Sequence, residues 1–376
     1  MRILKILDSN DGGGVFTCEM QFIKELRRKN VVVDALIVGD GEKVEQYRKI
    51  CNNIYLLPGF TPIYAGSTSE IIRSIIASYK YGVKHSENVR KLLEKDAQYD
   101  AVIFRRATFI HLGGKLARIL KTKSLWHLPS VVTGSLSRNY YNFYCKVYNI
   151  VQVANSIYTK NTLGGQCKDV VYPGFDSERL SETSSVYRQK LAIDKNVPVF
   201  GMAARMDEEK AQDIVVEAFI KSKIPGKGGH LLIAGGPLNT PFSEKVKKVA
   251  GEFLDKQIHI LGGIQDMGGF YSSVDIIVNG RRNAEPFGIS IAEALGAGKP
   301  IIAYHLGGPA EMIKDNINGW LVSHPTVKDY GEAMNISIDN IDNWPKMGQQ
   351  AKSDANEFSV GTNVDRLMKI VARNGN

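Results

Sequence analysis

The 376 residues predict an α/β protein of two doubly wound, Rossmann-like domains, and three observations carry that prediction. Short β-branched or apolar runs alternate with helical patterns along the whole chain, the alternation restarts near the middle, and the length exceeds what one hydrophobic core fills. The first half supplies candidate strands at Arg2–Leu7, Val31–Val38, Asn53–Leu57, Ala101–Phe104, Ser124–His127 and Ile150–Ala154. The second supplies Val197–Ala203, His230–Ala234, Gln257–Leu261, Ile276–Asn279 and Pro300–Tyr304. Strand followed by helix, repeated, implies parallel sheets. Between the strands, apolar residues recur at helical spacing, as in Phe22, Ile23 and Leu26, or Ile214, Val215, Ala218 and Phe219.

The first strand has its apolar run cut at Lys5 and closed at Asp8. The N-terminus therefore lacks the core of a secretory signal, and residence in the cytoplasm is expected. No run approaches the eighteen or so apolar residues of a spanning helix. After Val171-Tyr172-Pro173-Gly174-Phe175-Asp176 a turn-rich, polar stretch precedes a new first strand. The expected domains are 1–178, joined by a last helix at about 358–376, and 179–357. Cys18, Cys51, Cys145 and Cys167 stand far apart with no CxxC pair, which predicts reduced, partly buried thiols and no metal centre.

Charge is uneven. Residues 1–180 hold 26 Lys and Arg against 16 Asp and Glu, while the rest hold 22 against 23. Ala101 through Lys168 contain no acid, yet include Arg105, Arg106, Arg118 and Arg138, with Tyr140, Tyr141, Phe143 and Tyr144 close by. Such a one-sign field draws anionic partners: phospholipid headgroups, a pyrophosphate-linked substrate or nucleic acid. A solvated basic face with no partner is the plain alternative.

Ligands of doubly wound sheets bind outside the carboxyl ends of the strands, so chemistry is expected in the loops there. Gly12-Gly13-Gly14 follows the first strand and suits either a phosphate cradle at a helix start or a flexible turn. In Arg205-Met206-Asp207-Glu208-Glu209-Lys210 two cations flank three acids. They could neutralise a leaving diphosphate, or pair with one another at the surface. The segment Glu285-Pro286-Phe287-Gly288-Ile289-Ser290-Ile291-Ala292-Glu293 reads as a loop running into a helix, with Glu285 in the loop and Glu293 on the helix. Free N–H groups near Gly288, Ile289 and Ser290 would face an anion. This arrangement could hold a nucleotide-sugar: sugar hydroxyls on Glu285, diphosphate at the helix start, ribose on Glu293.

These residues resemble the family 4 retaining glycosyltransferases of the GT-B fold, also called group 1 glycosyltransferases. Glu285 to Glu293 matches the family's E-x7-E motif with its Pro-Phe-Gly. Further matches are the Gly12–Gly14 loop, Pro173–Asp176, Arg205 with Lys210, Ala234-Gly235-Gly236, Gly307–Glu311 and Asn318–Val322. An amphipathic Val364, Leu367, Met368, Val371 pattern is similar to the family's last helix. Where the family usually has Pro-Ser before its first glutamate, this chain has Val278-Asn279-Gly280-Arg281-Arg282.

The resemblance implies two domains facing a cleft and retaining, metal-independent transfer of a hexosyl-type sugar. The donor would be a nucleotide-diphosphate sugar, UDP first and GDP next, with no other cofactor. It assigns catalysis to His127, Arg205, Lys210 and Glu285, and donor binding to Gly13, Gly14, Arg205, Lys210, Glu285, Phe287, Gly288, Ile289 and Glu293. A histidine at a strand end is more often structural, and only the family position raises His127. Joined to the basic first half, the site predicts an enzyme peripheral on the inner face of the cell membrane. Its acceptor would be a lipid-linked glycan of cell-surface polysaccharide or lipopolysaccharide assembly, with Arg105, Arg106, Arg118 and Arg138 meeting acceptor or membrane. A small soluble acceptor, such as a sugar phosphate or metabolite, is the alternative. A nucleic-acid-binding protein on the same scaffold is more remote, and no nucleic acid is expected as a partner.

Overall fold

The computed structural model describes residues 1–60, 68–94, 97–181 and 184–373. Residues 182–183 of the polar mid-chain stretch and 374–376 of the expected last segment lie outside the described residues. The chain divides into two compact units, Met1–Pro173 with Val360–Asn376, and Gly174–Ser359. The division falls between Pro173 and Gly174, where the sequence suggested 178.

The first unit holds a seven-stranded parallel sheet in the order β3-β2-β1-β4-β5-β6-β7. Its strands are β1 (Arg2–Asp8), β2 (Val32–Val38), β3 (Ile54–Leu57), β4 (Ala101–Phe104), β5 (Lys123–Leu128), β6 (Ile150–Ala154) and β7 (Asp169–Val170). Four of its helices matter below: α1 (Gly13–Arg28), α2 (Thr68–Leu92), α3 (Ile110–Ile119) and α4 (Ser135–Tyr148). The second unit holds a six-stranded parallel sheet in the order β10-β9-β8-β11-β12-β13. Its strands are β8 (Val199–Ala203), β9 (His230–Ala234), β10 (Ile258–Gly262), β11 (Ile276–Asn279), β12 (Ile301–Tyr304) and β13 (Gly319–Val322), and α5 (Ile289–Gly296) follows β11. The helix α6 (Val360–Ala372) belongs to the first unit and packs on α1, burying Val364, Leu367 and Val371.

Each sheet is covered on both faces, so central strands read as apolar runs rather than alternating ones. Ile3, Leu4, Ile6 and Leu7 of β1 are all buried, and so are all four residues of β11. Lys5, which interrupts β1 in the sequence, is buried too, because Glu19 on α1 approaches its Nζ to 2.6 Å. The strand order reverses between β1 and β4 in one sheet and between β8 and β11 in the other. Loops leaving the carboxyl ends of these neighbouring strands run to opposite sides of the sheet and open a crevice. No helix among the described residues is long and apolar enough to cross a membrane.

Candidate active site

In the second unit the crevice lies between the loops after β8 and β11. The loop after β8 is fixed through its backbone. Ala204 N donates to Ala234 O at 3.0 Å, and Met206 N donates to Gly236 O at 2.9 Å. Gly235 makes this approach possible, since at φ +142° a Cβ there would lie 1.7 Å from the Ala204 carbonyl oxygen. Asp207 caps the short turn Glu208–Lys210, its Oδ1 accepting from Lys210 N. Arg205 is held by its backbone and keeps its side chain two-thirds exposed, 3.1 Å from Asp207.

The loop after β11 carries Glu285 and is strapped by a second glycine turn. Glu285 N donates to Leu306 O at 3.2 Å, and Gly308 N donates to Glu285 O at 2.8 Å. A Cβ on Gly307 would meet the Glu285 carbonyl oxygen at 2.1 Å, and one on Gly308 the Phe287 carbonyl oxygen at 2.1 Å. Phe287 is buried behind the loop. Gly288 turns into α5 at φ +98°, and the bonds of that first turn begin with Ile291 N donating to Gly288 O. The amides of Ile289 and Ser290 precede those bonds, at the positive end of the helix.

Lys210 Nζ approaches Glu285 Oε2 to 2.6 Å, and Arg281 Nη1 lies 3.4 Å from the same oxygen. The resemblance assigns Lys210 and Glu285 separate duties, and the fold makes them a pair with a second cation alongside. Arg281 also reaches Glu209, while Arg282 forks onto both oxygens of Asp213 at 2.8 and 2.6 Å. Burial works to raise the Asp213 carboxyl, but hydrogen bonds from Arg282 and Lys245 hold it below its ordinary range. Glu293 is buried on α5. Its Oε1 takes Arg179 Nη1 at 2.9 Å and its Oε2 takes the Tyr271 hydroxyl at 3.1 Å. Burial pushes its carboxyl above the ordinary value, and Arg179 and Tyr271 oppose that.

Around the two glutamates, Arg281, Arg179 and Tyr271 are not singled out by the sequence. Arg281 was legible only as a departure from a loop pattern. Arg179 and Tyr271 lie 114 and 22 residues from Glu293 in sequence, and no periodicity connects them.

Residues 184–354 match the family described as glycosyl transferases group 1. The match lies within the second unit and spans less than half of the chain, which there is similar to the group 1 glycosyl transferases. A D-inositol 3-phosphate glycosyltransferase of Corynebacterium kroppenstedtii is 27% identical over 54% of this chain and 47% of its own. One of Corynebacterium aurimucosum is 23% identical over 97% and 92%. The chain thus spans about half the length of the first of these relatives. A glycosyltransferase structure from Rickettsia africae superposes with a TM-score of 0.81 at 22% identity over 98% of this chain and 97% of that one. Anabaena Alr3699/HepE in complex with UDP gives 0.79 at 20% identity over 99% and 100%. At such identities the likeness shows the fold, which is the GT-B fold.

In the first unit Gly13 and Gly14 open α1, Gly13 at φ +56°. Beside them Arg106 bridges Asp8 at 3.1 Å and Asp11 at 2.7 Å. Two expectations are corrected here. Arg105, expected to meet acceptor or membrane, is buried. Its Nε lies 2.9 Å from Glu19, and its Nη2 lies 2.7 Å from Cys18 Sγ and 3.0 Å from His127 Nδ1. His127 is completely buried. Nδ1 accepts from Arg105 while Nε2 donates to Val171 O at 2.7 Å, so the ring has no free nitrogen to offer a sugar. Burial, then the Arg105 charge, hold it well below the ordinary histidine range, and it is neutral. Arg118 bonds the Val147 carbonyl and covers the Tyr148 ring, whereas Arg138 is exposed. Tyr140 and Tyr144 pack on His111, and Tyr141 packs on Trp126. That leaves Phe143 as the open ring of the run, and a single ring is a poor platform for stacked bases.

Proposed function

We propose that the chain transfers a glycosyl group from a nucleotide-diphosphate sugar, a UDP-sugar before a GDP-sugar, to an acceptor hydroxyl with retention of configuration and without a metal ion. The observation that carries this reading is the convergence, at the strand-order reversal, of Lys210 and Arg281 on Glu285, eight residues before Glu293 on the helix that follows. Arg205 and Lys210 would neutralise the leaving diphosphate together with the amides of Ile289 and Ser290. Glu293 would take ribose hydroxyls, and Glu285 would orient the transferred sugar. Charge develops on the diphosphate as the glycosidic bond breaks, so fixed cations at its final position favour the transition state over the ground state. The leaving phosphate takes the acceptor proton. Glu285 is no nucleophile in this scheme. Its carboxylate is held by two cations, and Glu293, the nearest carboxylate in the motif, is held by Arg179 and Tyr271 on the same donor side.

For the acceptor, the names of the inositol-phosphate relatives support a small soluble compound such as a sugar phosphate. A lipid-linked glycan, with the enzyme at the inner face of the cell membrane, is the second reading. The outer face of α2 and α4 favours it, as argued below. Thermal unfolding with millimolar UDP, GDP, ADP and CMP, each with and without magnesium, tests the donor site. A rise with UDP that ignores magnesium is expected, and no rise with any nucleotide overturns the reading. Retention is read from the anomeric proton of the product, and butanol partition of the labelled product separates the two acceptors.

A further inference from the structure

The helix α2 is built the wrong way round for a helix that faces only water. Its inward face is small and polar from Ser78 to Ser86 and turns apolar only at the buried Val89. Ser78 is buried with Oγ donating to Thr108 O at 2.5 Å, Gly82 lies so close to His111 that a Cβ would come within 2.7 Å, and His85 and Ser86 are buried beyond. Its outward face carries Ile72, Ile76, Tyr79 and Val83, each between 40 and 48% exposed. Their spacing of four, three and four residues keeps them in one stripe. On α4 the same spacing recurs in Leu136, Tyr140, Phe143 and Val147. Leu136 and Phe143 are 60% exposed, Val147 39%, and Tyr140 half-buried. The two stripes are neighbours, because His111 on α3 meets the Tyr79 ring at 5.1 Å and the Tyr140 hydroxyl at 2.7 Å. Single exposed apolar residues need no explanation, but two parallel stripes side by side do.

We propose that this face of α2 and α4 docks on an anionic phospholipid bilayer. Charge decides the occupant. The helices α2, α3 and α4 carry five, two and two Lys or Arg residues against two Glu, both on α2. Arg73, Lys80 and Lys84 border the α2 stripe, Arg138 and Lys146 border the α4 stripe, and all five are exposed. An apolar stripe edged by cations fits the boundary between acyl chains and anionic headgroups. A second copy of the chain, meeting this face with its own, would set cations against cations. Beside the face lies a cavity of about 560 Å³ lined by Ile75 and Ser78 of α2, Ser137 and Tyr140 of α4, and Trp126 of β5. Docking would bring its border to headgroup level, where the polar part of an amphiphile resides.

The test is sedimentation of the full chain with vesicles of phosphatidylcholine alone and with roughly a third phosphatidylglycerol. Binding to the anionic vesicles, and its release at high salt, are expected. Ile76→Ser with Phe143→Ser should weaken binding at least about tenfold, on the scale of two buried apolar side chains. Lys80→Gln with Lys84→Gln should weaken it several-fold at low salt and little at high salt. The UDP-dependent thermal shift reports folding and the donor site in every variant. Neither pair of substitutions touches that site, so failure here is distinguishable from failure of the transfer reading. The proposal is overturned if the chain stays in the supernatant with both vesicles, binds both equally, or binds undiminished after Ile76→Ser with Phe143→Ser. A vesicle-free dimer that Phe143→Ser dissolves would assign the face to a second copy and overturn it as well.

Discussion

Both units gather charge where the strand order reverses, and they spend it in opposite ways. In the first unit Lys5, Glu19 and Arg105 close on one another inside the core, and Arg106 outside them is divided between Asp8 and Asp11. Every cation there has a carboxylate from an adjacent element. In the second unit Arg205 stays two-thirds exposed beside Asp207, and Lys210 and Arg281 meet on Glu285, with Arg281 also reaching Glu209. A balanced, buried cluster fixes loops but has little left for an incoming anion. A cluster whose outer members Arg205 and Glu209 reach solvent can exchange partners for one, and that difference in burial, rather than the fold the two units share, favours the second for the proposed chemistry.

The comparison breaks most visibly at Glu19. Glu19→Ala leaves Lys5 and Arg105 buried without their carboxylate. Urea unfolding followed by circular dichroism should show the first unit destabilised by about 3–5 kcal/mol, the scale of an orphaned buried charge. The UDP-induced thermal shift of the second unit should persist. A variant as stable as the parent would mean that the core cluster contributes nothing net. Lys210→Ala is the counterpart. The protein should stay folded while transfer falls at least about a hundredfold, the cost of an oriented partner for developing charge. Combining it with Glu285→Ala should cost much less than the two losses added, because the residues are in contact. Additive losses would sink the idea that they act as a unit.

The sequence carried most of the fold because parallel strands announce themselves as short apolar runs. It missed β7, which is two residues long, and left β13, which opens on Gly319, as an unassigned motif. At the site, Glu285, Glu293, Arg205 and Lys210 were visible through their spacing, since a loop and the helix that follows it are local in sequence. What brings Arg179 and Tyr271 onto Glu293 is tertiary packing, and no local pattern records it. His127 and Arg105 show the converse. Family position suggests chemistry for His127 and the basic run suggests a ligand for Arg105, and only burial reveals that both ring nitrogens of His127 are taken and that Arg105 turns inward onto Glu19, Cys18 and His127. The inverted polarity of α2 escaped for a related reason, since its stripe could be assigned inward or outward until its neighbours were known.

The smallest expected effect sharpens the role of Glu293. Burial raises its carboxyl above the ordinary 4.5, with Arg179 and the Tyr271 hydrogen bond working against that. For an acid with a raised native pKa, the folded state holds the proton more tightly than the unfolded one, so this group's contribution to stability falls as pH rises from 4.5 through the raised value. Nucleotide binding runs the other way. Ribose hydroxyls donate to the ionised carboxylate, so affinity for UDP should rise with pH through the same window and level off above it. Measured by titration calorimetry across that range, UDP affinity should fall several-fold on the acid side. Tyr271→Phe removes a donor to the carboxylate and should shift the inflection upward, and Arg179→Gln should shift it further, because the Arg179 charge is the stronger of the two opposing effects. Glu293→Gln should abolish the inflection. An unchanged inflection in Glu293→Gln would move the titrating group elsewhere and take the ribose contact with it.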